Sequence, residues 1–269
     1  MLPLRQKLEA KLARGEKLLA IFLTAGYPEP AATLPLLHTL VEAGADLIEL
    51  GVPFSDPLAD GPTIQMASQK ALAAGVTLSH ALQYAKEFCS AHPTPLLLMG
   101  YANPFMQMGW QEVIAAASEA GVGGFIIPDL PLEESDILQN DLAAAGLDLI
   151  HLVSPNTSAA RIARINALTH GFVYAVSVTG VTGARAQLPA ETTRFLQRLK
   201  AQVTHPVLVG FGVSQPETAR SMAHLCEGVI IGSAIVERIT TARDFASARK
   251  SIFEFVSAIK NALQPATPS

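Results

Sequence analysis

Apolar residues in this chain fall in short unbroken runs, and the stretches between them carry apolar side chains at helical spacing. Residues 18–23 form the first run, residues 31–43 have a helical period, and residues 46–50 form the second run. The rhythm continues through residues 95–99, 124–127, 147–153, 172–177, 207–209 and 229–231, each followed by a turn signal and a helical stretch. Eight such strands alternating with amphipathic helices predict a closed parallel (β/α)8 barrel. A doubly wound open sheet is the competing arrangement, but no strand reads as a polar edge. Leu4, Leu8 and Leu12 at helical spacing predict an additional helix within residues 1–14, and residues 264–269 read as a frayed tail. Residues 1–269 are expected to form one barrel domain.

One strand departs from the apolar rule. Residues 46–50 read DLIEL, so a carboxylate, Glu49, stands near the end of a strand buried on both faces. Leu47 and Glu49 share one face, Ile48 and Leu50 the other, which leaves the acid no solvated face of its own. Gly51, Pro53, Pro57, Gly61 and Pro62 come next and impose a shaped loop bearing Ser55, Asp56 and Asp60. An ordinary strand-end acid paired with an arginine is the plainer explanation of Glu49. Two carboxylates on one rim, Glu49 on a strand and Asp60 on a loop, point instead to a functional site.

Loops after the later strands extend that rim. Residues 179–184 read TGVTGA, Gly210-Phe211-Gly212 follows the seventh strand, and Gly232-Ser233 opens the last helical stretch. Small residues at these positions suit a phosphate cradle built from backbone amides at a helix N-terminus, with no lysine or arginine required. Simple turn punctuation is the alternative for any one of these loops.

The rest of the inventory narrows the chemistry. With 269 residues, 49% hydrophobic content, a net charge of −4 and no dense basic cluster, the chain is not expected to bind nucleic acid. The longest uncharged run, residues 88–111, contains Pro93, Pro95 and Pro104 and makes a poor membrane span, and the charged N-terminus lacks a signal-peptide core. Cys89 and Cys226 lie in separate segments without metal-ligand spacing, so a cytoplasmic protein with reduced thiols is expected. None of the eight lysines ends a strand, which argues against a Schiff-base aldolase. The histidines are scattered singly, His151 alone within a strand, so no metal site is expected. GxGxxG, the P-loop pattern and GxSxG are all absent. Carboxylate acid/base catalysis remains, with Tyr174 on the sixth strand, and suits reversible carbon–carbon cleavage or proton transfer on a sugar-phosphate-like substrate.

Several segments resemble one family: ELGVPFSDPLADGP at 49–62, MGYANPF at 99–105, PDLPLEES at 128–135, VYAVSVTGVTGA at 173–184, VGFGVS at 209–214 and VIIGSAIV at 229–236. Together they resemble the α chain of tryptophan synthase, and the similarity spans the chain from its first helix. The resemblance implies a (β/α)8 barrel that cleaves indole-3-glycerol phosphate to indole and glyceraldehyde 3-phosphate. It also implies Glu49 and Asp60 as catalytic acids and Tyr174 near the reacting carbon. Phosphate contacts are implied at Gly183, Gly212, Gly232 and Ser233, and an indole pocket at Phe22, Met99, Ile126, Val153 and Phe211, residues whose other role is barrel core. Thr182 is implied in a loop that closes over the site, and Val178 stands where some members carry an arginine. The implied partner is a pyridoxal-phosphate-dependent β chain in an α2β2 complex that receives the indole. No cofactor is expected in this chain. A sugar-phosphate isomerase or epimerase, and an inactive barrel that only activates a partner, are the competing functions.

Overall fold

The computed structural model describes residues 4–177 and 188–264. Its strand segments are β1 (Leu18–Thr24), β2 (Leu47–Gly51), β3 (Leu96–Met99), β4 (Gly124–Ile126), β5 (Asp148–Ile150), β6 (Leu152–Val153), β7 (Val173–Ala175), β8 (Val207–Val209) and β9 (Gly228–Ile231). All pair in parallel, in the order β5-β4-β3-β2-β1-β9-β8-β7-β6. Only His151 separates β5 from β6, and its carbonyl accepts the Tyr174 amide at 3.1 Å. The two ends of the sheet are therefore halves of one strand, and the sheet closes into the expected eight-stranded barrel.

The fifth strand changes partners along its length. Asp148, Leu149 and Ile150 pair with β4, whereas Leu152 and Val153 pair with β7. A closed barrel needs staggered registers, so one strand engages its two neighbours at different heights. The expected run 172–177 is strand only over Val173–Ala175, and the expected helix 31–43 forms as a 3-10 turn, Pro30–Ala32, leading into the α-helix Thr33–Glu42.

Two apolar layers form on the two faces of the sheet. Inside the barrel, Leu18, Ala20, Leu47, Leu97, Ile126, Ile150, Tyr174, Leu208 and Ile230 pack together, and Leu4 and Leu8 of the helix Leu4–Leu12 plug its N-terminal end. Outside, Leu19, Ile21, Ile48, Leu50, Leu98, Val207, Val209 and Val229 pack in the layer beneath the surrounding helices. The alternation follows from the pleat, and it settles which face Glu49 takes: it points inward with Leu47. Among the described residues no helix is long and apolar enough to cross a membrane.

A buried ionic clasp holds the N-terminal plug in place. Asp46, 2% exposed, accepts the Lys11 ammonium at 2.7 Å, the Lys260 ammonium at 2.6 Å and the Leu19 amide at 2.8 Å. It thereby joins the first helix, the last helix (Phe245–Leu263) and the start of the barrel. Replacing Asp46 with Ala strands two cations and an amide, and should lower the unfolding free energy by about 3 kcal/mol, a figure reduced because Lys11 is a third exposed. Urea unfolding monitored by circular dichroism checks this.

Candidate active site

The C-terminal ends of β1, β2 and β9 meet at the barrel mouth. β1 lies between β2 and β9, with Phe22 in register with Glu49. The Phe22 ring lies so close over Gly51 that a Cβ at 51 would overlap it, and a Cβ at Gly232 would come within 3.3 Å of Phe22 Cβ. Phe22 thus spans the gap between the strand carrying Glu49 and the turn after β9. Two strand spacings, roughly 10 Å, separate those positions, the span of a small phosphorylated molecule.

Glu49 has 0% exposure, and among the described residues neither carboxylate oxygen has a hydrogen-bond partner. Burial without compensation penalises the charged form and raises its pKa to about 8. At neutral pH the side chain is mostly a carboxylic acid with a proton to give.

Asp60 is held differently. The turn before it is closed by the Asp60 amide on the Pro57 carbonyl at 3.0 Å, and the helix Pro62–Ala73 begins two residues later with proline at its first position. Gln65 of that helix donates to the Asp60 carbonyl at 2.9 Å. Burial raises the Asp60 pKa to about 6, against a lowering hydrogen bond from Tyr101. Asp60 is therefore mostly ionised where Glu49 is mostly protonated, and two such carboxyls can divide acid and anion roles between them. Asp60 lines a small cavity with Phe22, Gly51, Met99, Gly100 and Tyr101.

Tyr174 lies inside the barrel near both acids. Its hydroxyl stays protonated far above neutral pH, first through burial and then through the charges of Glu49 and Asp60. A Cβ on Gly210 would overlap the Tyr174 ring. Gly210, read from the sequence as part of a backbone phosphate cradle, also leaves room for this tyrosine. Gly212 adopts φ +73°, the left-handed region open to glycine. Gly232 caps the helix Ser233–Thr241, whose first bonds are Ile235 N–H to Gly232 O at 2.8 Å and Val236 N–H to the same oxygen at 3.2 Å. The Ser233 and Ala234 amides precede those bonds, at the positive end of the helix dipole.

Two of the expected pocket residues, Phe22 and Met99, line the cavity; Ile126 packs inside the barrel, and Phe211 is partly buried. Val153 is a correction: it packs in the outer layer, and the inward side chain of that segment is its neighbour Leu152. A one-residue difference in register turns a strand side chain to the opposite face. Gly183, Thr182 and Val178 lie outside the described residues. Tyr101 was not singled out from the sequence, where it looks like one aromatic in a turn. His151 sits 3.4 Å from the Gln139 side chain, and burial lowers its pKa to about 4, so it is neutral. Among the described residues no cluster of three or more His, Cys, Asp or Glu is placed to hold a metal ion.

A parallel barrel with an unsolvated acid and an ionised partner at its C-terminal mouth defines a (β/α)8 enzyme of the acid/base kind. Comparison with known proteins makes this particular. The family model described as tryptophan synthase alpha chain matches residues 8–264. The tryptophan synthase alpha chain of Azoarcus sp. (strain BH72) is 47% identical over 253 residues, 93% of each chain, and that of Methylococcus capsulatus is 45% identical over 249 residues, 92% of this chain and 93% of that one. The crystal structure of tryptophan synthase subunit alpha from Legionella pneumophila str. Paris superposes with a TM-score of 0.89 at 37% identity, covering 96% of this chain and 97% of that one. The chain belongs to the tryptophan synthase alpha chain family. It is accordingly a carbon–carbon lyase of tryptophan biosynthesis, cleaving indole-3-glycerol phosphate to indole and glyceraldehyde 3-phosphate.

The burial of Glu49 has a cost that pH reveals. Because its folded pKa of about 8 exceeds the ordinary 4.5, the folded state binds the proton more tightly, and stability falls as pH rises through that window. Changing Glu49 to Gln removes this loss. The variant should gain on the order of 4 kcal/mol relative to the wild type between pH 4.5 and pH 9, measured by denaturant unfolding at both pH values.

Proposed function

We propose that Glu49 and Asp60 share the cleavage. The protonated Glu49 carboxyl delivers its proton to C3 of the indole ring, giving an indolenine cation that the Asp60 carboxylate stabilises at the ring N–H. The carbon–carbon bond to the glycerol chain then breaks, its electrons returning to the ring. The adjacent hydroxyl gives up its proton to the Glu49 carboxylate, which regenerates the acid and leaves the aldehyde. Tyr174 packs beside the reacting carbon. The fully buried carboxyl of Glu49, without a partner among the described residues, carries this reading, since a proton donor or acceptor is the role that justifies keeping an acid there.

The phosphate is assigned to the amides around Gly212, Gly232 and Ser233, with Gly183 completing the cradle, and Thr182 to a loop that closes over the substrate. Phe22, Met99, Ile126, Leu152 and Phe211 hold the ring. The chain itself carries no cofactor in this reading. Pyridoxal phosphate belongs to a β chain, joined in an α2β2 complex in the cytoplasm. Asp56-Pro57, Asn103-Pro104 and residues 129–134 form the contact, and Leu58, 94% exposed beside them in the Asp60 loop, supports it. An apolar product such as indole gives a physical motive for closing the site against that partner.

Glu49→Gln should lower kcat by about 10²–10⁴-fold with substrate binding retained, and Asp60→Asn should also reduce turnover. For the wild-type chain, kcat/KM should rise as Asp60 ionises through about pH 6 and fall as Glu49 ionises through about pH 8. Steady-state indole release across pH 5 to 9 tests both; an unchanged Glu49→Gln rate refutes the assignment. Mixing the chain with a tryptophan synthase β chain should give a heterotetramer by light scattering, and Leu58→Glu should weaken it.

A further inference from the structure

The loop that carries Asp60 is pinned from across the barrel mouth by one side chain. Tyr101 stands at the N-cap of the helix Ala102–Met108, just after β3, and is 5% exposed. Its ring stacks on Phe54, centroids 5.3 Å apart and planes 28° apart. Its hydroxyl accepts the Ala59 amide at 2.9 Å and lies close enough to the Asp60 carboxylate to lower its pKa. A phenol has one hydrogen, and with the Ala59 N–H donating to the oxygen that hydrogen is free to be given to Asp60. The three contacts fall on residues 54, 59 and 60, so they bracket the loop. Between these contacts Pro57 is buried, whereas Ser55 and Asp56, which bond each other, and Leu58 are exposed.

Tyr101 is itself anchored. The amide of the next residue, Ala102, donates to Asp129 Oδ1 at 2.9 Å, which ties the start of this helix to the loop after β4. Phe105 of the same short helix is fully buried against Phe125 of β4. The phenol is thus held on a rigid part of the barrel rim and reaches to a loop whose backbone at Asp60 is otherwise tied by the Pro57 turn and by Gln65 of the following helix. Burial and the nearby Asp60 and Asp129 charges keep its hydroxyl protonated well above neutral pH, so it remains a donor across the working range.

We propose that Tyr101 is the positioning residue for Asp60: its hydroxyl fixes the Ala59–Asp60 backbone and orients the carboxylate toward the barrel interior. A carboxylate on an exposed loop loses effective concentration at the substrate when it can rotate to solvent, and a charge-assisted hydrogen bond from a buried donor prevents this. The same bond favours the ionised form, so the orientation and the charge of Asp60 have one source. This inference rests on the reading that Asp60 takes part in the cleavage.

Tyr101→Phe tests it, because the ring and its stacking on Phe54 are kept while the hydroxyl, with its bond to the Ala59 amide and its reach to Asp60, is lost. The pH profile of kcat/KM for indole-3-glycerol phosphate should shift its acidic limb up by about one pH unit, with the alkaline limb unmoved. At pH 7, kcat should fall about tenfold with KM changed less than about twofold, and glyceraldehyde 3-phosphate binding should match the wild type, which also establishes that the variant is folded. A residue that merely supports the fold would lower thermal stability and leave the acidic limb in place. An acidic limb and kcat both unchanged in Tyr101→Phe overturn the proposal. Asp60→Asn measured in parallel separates the two levels. If it keeps the acidic limb, the role of Asp60 itself fails and this proposal with it; if it loses the limb while Tyr101→Phe retains it, only the assignment of Tyr101 falls.

Discussion

An unsolvated carboxyl inside the barrel is the constraint around which the mouth is arranged. Glu49 is fully buried and has no hydrogen-bond partner among the described residues, so near pH 7 it is mostly a neutral acid. The penalty is borne by a scaffold with a large apolar interior and a second apolar layer outside the strands. Placing the acid on a central strand rather than a loop fixes it against the rigid β1 and β3 neighbours, in register with Phe22 and Leu97. The same side chain that destabilises the fold above its ordinary pKa is the one to which the proposed chemistry assigns the proton.

Contrast gives the pair its use. Asp60 sits on a partly exposed loop at the start of a helix, so its rise in pKa is smaller and it remains an anion where Glu49 is an acid. In the cleavage proposed above, the separation of a rigid, buried donor from a loop-borne anion lets one site protonate a ring carbon and stabilise the resulting cation. The helix terminus at Ser233, to which the proposal assigns the phosphate, lies two strands away from Glu49 across Phe22.

The architecture was legible because its signal is local. A run such as residues 207–209 between a helical stretch and a glycine turn needs no tertiary information to be read as a buried strand, and β8 has those bounds. Glu49 and Asp60 stood out because an acid in an apolar run and a Pro/Gly-rich loop behind it are both departures from propensity. The N-terminal helix was visible for the same reason, though its task, plugging the barrel with Leu4 and Leu8, depends on where the strand ends converge.

Facing and pairing were not local. The alternation along β6 assigns Leu152 inward and Val153 outward, and only closure of the sheet, with its change of partner at His151, sets that register. Gly210 read only as part of a glycine-rich cradle because nothing in the chain says that the ring of Tyr174, 36 residues earlier, packs against it. Tyr101 reached Ala59 and Asp60 through a distance of some forty residues, and a one-dimensional pattern carries no such contact. Residue type and spacing therefore determined the barrel, the two acids and the glycine-rich turns, since these follow from backbone preference and burial. Which side chains meet at the mouth, and how far each carboxyl is pushed from its ordinary pKa, depends on desolvation by groups distant in sequence, and that exists only once the barrel has closed.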